Sequence, residues 1–230
     1  MLIGNYIAKT GSKAYPQVIH YVMSRSGYKR KGDSEAESLQ NIVAVKGDWL
    51  NEDSYPEELK DCQSLVHSVG TLLQGKTPNT SYKAMNTETW VKIAKKFNEY
   101  AKIAGKQRNF VMISSEKAPP FLEEYITTKR EAEEYLLNEC TNLRVHILRP
   151  GFIVDPTERS WSPYLSCIIK LGYQANLNVV QKTPAAGLLD FLFPAHPTSL
   201  EKIGEIALAA CHNELPPQVW TNDMILSYSK

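Results

Sequence analysis

Phe110-Val111-Met112-Ile113-Ser114-Ser115, followed ten residues later by Tyr125-Ile126-Thr127-Thr128-Lys129, is the stretch from which the fold can be read. The first run is short, apolar and β-prone, and it stops at two hydroxyls, as a buried strand does at the edge of a sheet. The second lies on a charged, helix-prone segment that opens with Pro119-Pro120. Tyr125 and Lys129 are four apart, so a helix puts them on one face. A serine, a tyrosine and a lysine gathered at one strand end make a proton-transfer site. The cation makes the phenol more acidic, and the serine hydroxyl holds the reacting oxygen. The pair alone carries little weight. With 12 tyrosines in a lysine-rich chain, about one Tyr-x-x-x-Lys arises by coincidence.

Outward from this centre, strands and helices alternate. Upstream, Gly4 to about Ala14 predicts a helix and Val18–Met23 a strand ending at Ser24-Arg25-Ser26. Tyr28–Ser38 reads as a surface loop. Ile42–Val45 is a strand closing on Gly47-Asp48, and Ser54–Asp61 holds a short helix. Ser64–Ser68 is a strand ending at Val69-Gly70, and Lys83–Gly105 is an amphipathic helix with Gly105 as its stop. Downstream, the Tyr125–Lys129 helix runs to about Asn138, and Val145–Leu148 is a strand ended by Arg149-Pro150-Gly151. This alternation predicts an α/β, Rossmann-like, doubly wound parallel sheet over residues 1–151. Residues 152–230 form a small C-terminal region on the same domain, expected over the carboxyl edge of the sheet. In it Thr198-x-x-Glu201 has the pattern of a capping box opening a helix, and Val219-Trp220 adds a short strand.

Composition sets outer limits. The chain has 230 residues and a formal net charge of +1, so nucleic acid is not a bulk electrostatic partner. No apolar run reaches the ~20 residues of a membrane span. Cys62, Cys140, Cys167 and Cys211 are scattered without metal-ligand spacing, so no metal site is expected.

The order of strand ends is more specific than any single motif. Ser24-Arg25-Ser26, Gly47-Asp48, Ser68-Val69-Gly70, Ser114-Ser115, Tyr125-x-x-x-Lys129 and Leu148-Arg149-Pro150-Gly151 follow one another in a series. The series resembles the atypical or extended short-chain dehydrogenase/reductase superfamily from Gly4 nearly to the end. Val66–Leu73 and Tyr125–Glu133 look most like a fungal mitochondrial branch, the reductase-like proteins associated with the coenzyme Q (ubiquinone) biosynthetic complex. That branch is related to the reductase-like accessory subunit of respiratory complex I.

The resemblance implies a role for each position. Gly4 is the last glycine of the phosphate-binding turn. Ser24, Arg25 and Ser26 border the adenosine ribose, and basic Arg25 suits a 2′-phosphate, hence NADP over NAD; an ordinary surface arginine is the alternative. Asp48 lies near the adenine, and Val69 and Gly70 flank the ribose. Asn86 matches the asparagine of the following helix, or is simply an exposed helix residue. Ser115, with Ser114 as alternative, is the catalytic hydroxyl. Tyr125 is the acid/base, Lys129 binds the nicotinamide ribose and lowers the tyrosine's pKa, and Pro150 and Gly151 face the nicotinamide. The pattern is entered at Gly4, without the first strand and the first two glycines. The expectation is a chain cut from a longer protein, with its mitochondrial presequence in the same lost segment; the alternative is a degenerate member that no longer binds the cofactor. Two functions follow: an NAD(P)-dependent reductase, or a non-catalytic assembly subunit of a ubiquinone-synthesis or respiratory complex. A redox sensor that binds NADP without chemistry is a third. Trp161, Tyr164, Phe191 and Phe193 are expected either to line a pocket for a small quinone-like ligand or to pack internally. The run Lys129–Glu134 reads as a solvated helix face, and His20, His67 and His146 as hydrogen-bonded core histidines.

Overall fold

The computed structural model describes residues 2–27, 40–118, 122–154, 162–175 and 195–229. The expected loop at Tyr28–Ser38, the Pro119-Pro120 pair and the aromatics Trp161, Phe191 and Phe193 lie outside the described residues. The strands are β1 (His20–Ser24), β2 (Ile42–Lys46), β3 (Ser64–His67), β4 (Arg108–Ile113), β5 (Leu143–Leu148), β6 (Ile153–Val154), β7 (Thr198–Ser199) and β8 (Val219–Trp220). The α-helices are α1 (Leu2–Ala14), α2 (Thr89–Ile103), α3 (Glu123–Glu139), α4 (Ser162–Ala175), α5 (Leu200–Cys211) and α6 (Asn222–Ser227).

All the strand pairings are parallel. β3–β4–β5–β8 form a four-stranded sheet, β1–β2 a separate two-stranded one, and β6–β7 a short pair. The Rossmann-like expectation therefore holds. Among the described residues, β1 and β3 are each paired on one side only.

β4 is buried along its whole length because helices cover both faces. Its alternate residues serve two cores. Phe110 and Met112, with Val145 and Ile147, pack under Trp90, Ile93, Phe97 and Leu136 of α2 and α3. Val111 and Ile113, with Leu148, pack under Ile7 of α1 and Ile203, Ile206 and Ala207 of α5. Helix α5 is thus a wall of the core on the face it shares with α1, while Asn222 of the same C-terminal region lies at the carboxyl edge, bonded to Gly151 and Glu116. The apolar stripe of α5, Ile203-Ile206-Ala207-Ala210, is fully buried. Ser199 caps it by accepting from the Lys202 N–H, one residue after the expected Thr198. The Thr198 hydroxyl is turned instead to the Asn222 carboxamide.

α1 runs back across the sheets. A side chain at Gly4 would touch the Ser68 hydroxyl at 3.0 Å, and one at Gly11 would meet His20 at 2.8 Å. The helix therefore starts beside the carboxyl end of β3 and ends beside the amino end of β1. α2 stops where expected: Gly105 takes φ +64°, its N–H bonds the Lys102 carbonyl, and the Lys106 N–H reaches back to Ala101.

Candidate functional site

Because the strands are parallel, every motif quoted from the sequence follows the carboxyl end of its strand. Ser24–Ser26 and Asp48 end β1 and β2. Val69-Gly70, Ser114-Ser115 and Pro150-Gly151 end β3, β4 and β5. Helix α3 carries Tyr125 and Lys129 past the end of β4. Its first turn bears Glu123 and Glu124, which suit the positive end of the helix dipole.

Three residues come together here. The Ser115 hydroxyl donates to the Lys117 carbonyl at 3.4 Å and lies close to the phenol of Tyr125. Burial pushes that phenol above its ordinary pKa, while Ser115 and the Arg130 charge act against the rise. Lys129 is 4% exposed. Its ammonium donates to the Ile113 carbonyl at 3.2 Å and lies 5.4 Å from the Tyr125 ring centre and 5.3 Å from that of Trp90. Burial drops its pKa to about 8, with Glu133 holding it up. The expected acidification of the phenol by Lys129 is therefore not what this geometry gives. The ammonium sits over the ring, and Arg130 and Ser115 are the groups that favour the phenolate.

Ser114, the alternative hydroxyl, faces away from Tyr125. It is buried and donates to the Glu133 carboxylate. Glu133, 2% exposed, pairs with Arg130 and Arg149, each at 2.5 Å. The Lys129–Glu134 run is accordingly not a solvated face. Lys129, Ala132, Glu133 and Leu136 form its buried side, spaced three and four apart.

The loop after β3 is fixed from the opposite helix. Ala84–Glu88 winds as a π-turn that leads into α2, and this local widening turns Asn86 inward. Asn86 is fully buried, not exposed: its carboxamide accepts from the Thr71 N–H at 2.8 Å and donates to the Thr71 carbonyl at 3.1 Å. A side chain at Gly70 would press on Asn86 Oδ1 at 2.9 Å and reach Lys129 Nζ at 3.6 Å. Gly70, Asn86 and Lys129 thus share one small space. Tyr82, whose hydroxyl donates to the Leu72 carbonyl, packs edge-on against Tyr125. Sequence reasoning missed Tyr82, Arg130, Glu133 and Arg149. Glu133 was within reach, since it stands four residues after Lys129 and eight after Tyr125, on the same helical face.

The other motif residues are placed as follows. Arg25 and Ser26 are exposed and Ser24 is buried, its hydroxyl 3.5 Å from that of Ser26. Asp48 accepts from the Leu50 N–H at 3.0 Å, which shapes the turn after β2. Pro150 is buried and its carbonyl accepts from Glu116. The Gly151 N–H donates to Asn222 at 2.8 Å, and a side chain there would overlap the His196 carbonyl. Tyr164 is 76% exposed on α4. His146 is buried, but neither ring nitrogen has a hydrogen-bond partner among the described residues. His67 has a single long contact, 3.4 Å to Thr89. Strand spacing points His146 into an apolar face without supplying a polar neighbour. Burial lowers His67 to about 3 and His146 to about 4.

Comparison with known proteins fixes the family. An NAD-binding family model described as male sterility protein matches residues 57–185, the span that holds Gly70, Asn86, Ser115, Tyr125 and Lys129. The chain belongs to this family. As an atypical protein of the short-chain dehydrogenase/reductase type, it is similar to MIOREX complex component 2 of Saccharomyces cerevisiae. The two are 25% identical over 197 residues, covering 67% of this chain and 71% of the yeast protein. Among solved structures, its fold is similar to gluconate 5-dehydrogenase from Burkholderia cenocepacia J2315 in complex with NADP and tartrate (TM-score 0.62, 13% identity, 98% of this chain and 92% of that one). It is similar also to sorbitol-6-phosphate 2-dehydrogenase from Erwinia amylovora (TM-score 0.61, 15% identity, 96% and 95%). The ADP-L-glycero-D-manno-heptose-6-epimerase of Helicobacter pylori matches at TM-score 0.61 and 13% identity, over 95% and 72% of the two chains.

The family implies a nicotinamide dinucleotide, and the residues at the carboxyl edge fit one. The buried Lys129 ammonium spends one of its three donors on Ile113 and faces the side-chain-free space at Gly70. A ribose hydroxyl is the kind of group such a space and donor suit.

Proposed function

We propose that this member of the reductase-type NAD(P)-binding family reduces a carbonyl group, with Tyr125 as the acid. The Tyr125 phenol near Ser115 at the strand end, its ring centre 5.4 Å from the buried Lys129 ammonium, is the observation that carries this reading. Held by Lys129 and Gly70, a reduced nicotinamide would supply the hydride that the carbonyl carbon takes up. Tyr125 gives its proton to the carbonyl oxygen as that oxygen gains charge, and Ser115 donates a hydrogen bond to the same oxygen. The phenol stands above its usual pKa, so Tyr125 stays protonated at neutral pH and is ready as an acid. Lys129 and Gly70 bind the ribose, with Val69 beside them. Pro150 and Gly151 face the nicotinamide, Asp48 the adenine, and Ser24 and Ser26 the adenosine ribose. Arg25 favours NADP through the 2′-phosphate, and Gly4 at the start of α1 faces the pyrophosphate.

We infer further that the protein serves mitochondrial ubiquinone biosynthesis as part of a complex and acts on a small quinone-like compound. The motif resemblance supports this, and the yeast relative's name as a complex component supports membership of a complex. The same name supports a second reading, an assembly subunit whose dinucleotide is structural or lost.

The two readings separate in one experiment. NADPH and NADH are titrated by nicotinamide fluorescence, and NADPH oxidation is followed with phenanthrene-9,10-dione as a carbonyl probe. The enzyme reading expects turnover that Tyr125→Phe lowers by about a hundredfold or more with NADPH affinity unchanged. Equal turnover in both proteins removes Tyr125 as the acid. Absence of binding, also in a protein extended upstream, leaves the assembly reading.

A further inference from the structure

The carboxylate of Glu133 is buried at the carboxyl edge and held by three partners. Arg130 Nη1 and Arg149 Nη2 each lie 2.5 Å away, Arg149 Nε donates at 3.0 Å, and the Ser114 hydroxyl donates as well. Such a cluster is not explained by stability. Desolvating these charges costs about as much as their attraction returns, and apolar residues of similar volume commonly serve a core as well. Its geometry points to another use. The second arm of Arg130, Nη2, donates to the carbonyls of Ser115 and Glu116, both at 2.8 Å. Those carbonyls flank the backbone that carries the Ser115 hydroxyl. Glu133 fixes Arg130, Arg130 fixes the Ser115–Glu116 peptide, and Ser114 fastens the same turn directly. Arg149 ties in the end of β5, whose neighbour Pro150 accepts from the Glu116 N–H at 2.9 Å.

We propose that Glu133 is a positioning residue which, through Arg130 and Ser114, holds the turn that carries Ser115 beside the Tyr125 phenol. This rests on Tyr125 being the acid of the reaction. Glu133 touches neither Tyr125 nor the space at Gly70. Its influence passes through two side chains and one peptide, joined by short contacts as far as the Ser115–Glu116 turn. A planar, forked guanidinium is required in the middle, because one arm must hold the carboxylate while the other holds two carbonyls.

The test uses Glu133→Gln, which keeps the side-chain shape and removes the charge, and Arg130→Lys, which keeps the charge and removes the fork. The first readout needs neither substrate nor cofactor. Tyrosinate absorbance is recorded within milliseconds of a stopped-flow alkaline jump, before unfolding, with Tyr125→Phe subtracted. The groups facing the phenol are Ser115 from the β4 end, Tyr82 from the turn before α2, and Lys129 and Arg130 from its own helix. Loss of positioning moves Ser115 away from the phenol and shifts the phenol's titration upward in both variants, as in Ser115→Ala. A charge effect alone predicts the reverse: removing an anion favours the phenolate in Glu133→Gln, and Arg130→Lys leaves it unmoved. A downward or absent shift in the variants therefore overturns the proposal. The second readout is NADPH oxidation with phenanthrene-9,10-dione, where both variants are expected to lose about tenfold to a hundredfold in kcat with KM for NADPH held within about twofold. If wild type and Tyr125→Phe turn over equally, the acid assignment fails and the positioning role fails with it. If Tyr125→Phe is inactive while Glu133→Gln and Arg130→Lys match wild type, only the positioning role is lost. Should Glu133→Gln not fold, Arg130→Lys decides by the same two readouts.

Discussion

His146→Leu should flatten the acid limb of this protein's stability. His146 is fully buried on β5, without a hydrogen-bond partner among the described residues, and its pKa is lowered from the ordinary histidine value of 6.5 to about 4. Burial is the first cause and the nearby Arg144 charge the second. The folded value lies below the unfolded one, so on acidification the unfolded chain takes up the proton first. The neutral histidine's contribution is fully present above about pH 6.5 and is lost as pH falls from there toward about 4. Between pH 7 and pH 5 the linkage amounts to about 1.8 kcal/mol, and near pH 5.5 the slope is about 1.2 kcal/mol per pH unit. Carboxylates, whose unfolded values lie near 4, contribute little in this window. His67, at about 3, contributes a similar amount, and burial also lowers His20, so the comparison is between wild type and the single variant. Leucine removes two unpartnered ring nitrogens from an apolar face, so the variant should be at least as stable as wild type at pH 7. Urea unfolding at half-unit steps from pH 5 to 7 measures both curves. Parallel curves would refute the burial argument, because they would mean that His146 takes up its proton in the folded chain as readily as in the unfolded one.

Other outcomes follow from single contacts. Gly204→Ala should cost about 1–3 kcal/mol in urea unfolding, since its methyl would sit 2.7 Å from the Tyr6 ring where α5 meets α1; an unchanged midpoint would show that the helices part freely there. Gly70→Ala should weaken NADPH binding about tenfold or more by filling the space between Asn86 and Lys129, and unchanged fluorescence titration would remove Gly70 from the ribose site. Arg25→Ala should weaken NADPH by about tenfold and leave NADH unaffected; equal losses for both would assign Arg25 no part in the 2′-phosphate preference. The kcat/KM for phenanthrene-9,10-dione should fall as pH rises through about 8, where Lys129 loses its proton; a profile flat to pH 9 would detach the lysine's charge from the reaction.

Local signals in this chain were strong where each residue faces one environment. The strand at Phe110–Ile113, the stop at Gly105 and the shared helical face of Tyr125 and Lys129 follow from an apolar β-prone run, a left-handed cap and a four-residue spacing. Asn86 was illegible as a buried residue because a π-turn, which the helical period does not announce, rotates it inward. Glu133 was read as solvated because a charge run looks the same whether it faces water or two guanidinium groups. Arg149 comes from a strand end sixteen residues away and declares itself only when β5 lies beside β4.

The sequence by itself determined that this chain alternates strand and helix, that its strand ends carry Ser114-Ser115, Val69-Gly70 and Pro150-Gly151, and that Tyr125 and Lys129 share a helical face. These are properties of neighbours along the chain, set by steric periodicity and side-chain polarity. Only the tertiary structure decided that Ser114 turns to Glu133 while Ser115 lies near the tyrosine, that the Lys129 ammonium lies over an aromatic ring at a pKa of about 8, and that Glu133 anchors the turn between them. The physical reason is that charge and hydrogen bonding at the edge of a parallel sheet depend on groups from different strands. Their distances are fixed by packing, and no spacing along the chain encodes them.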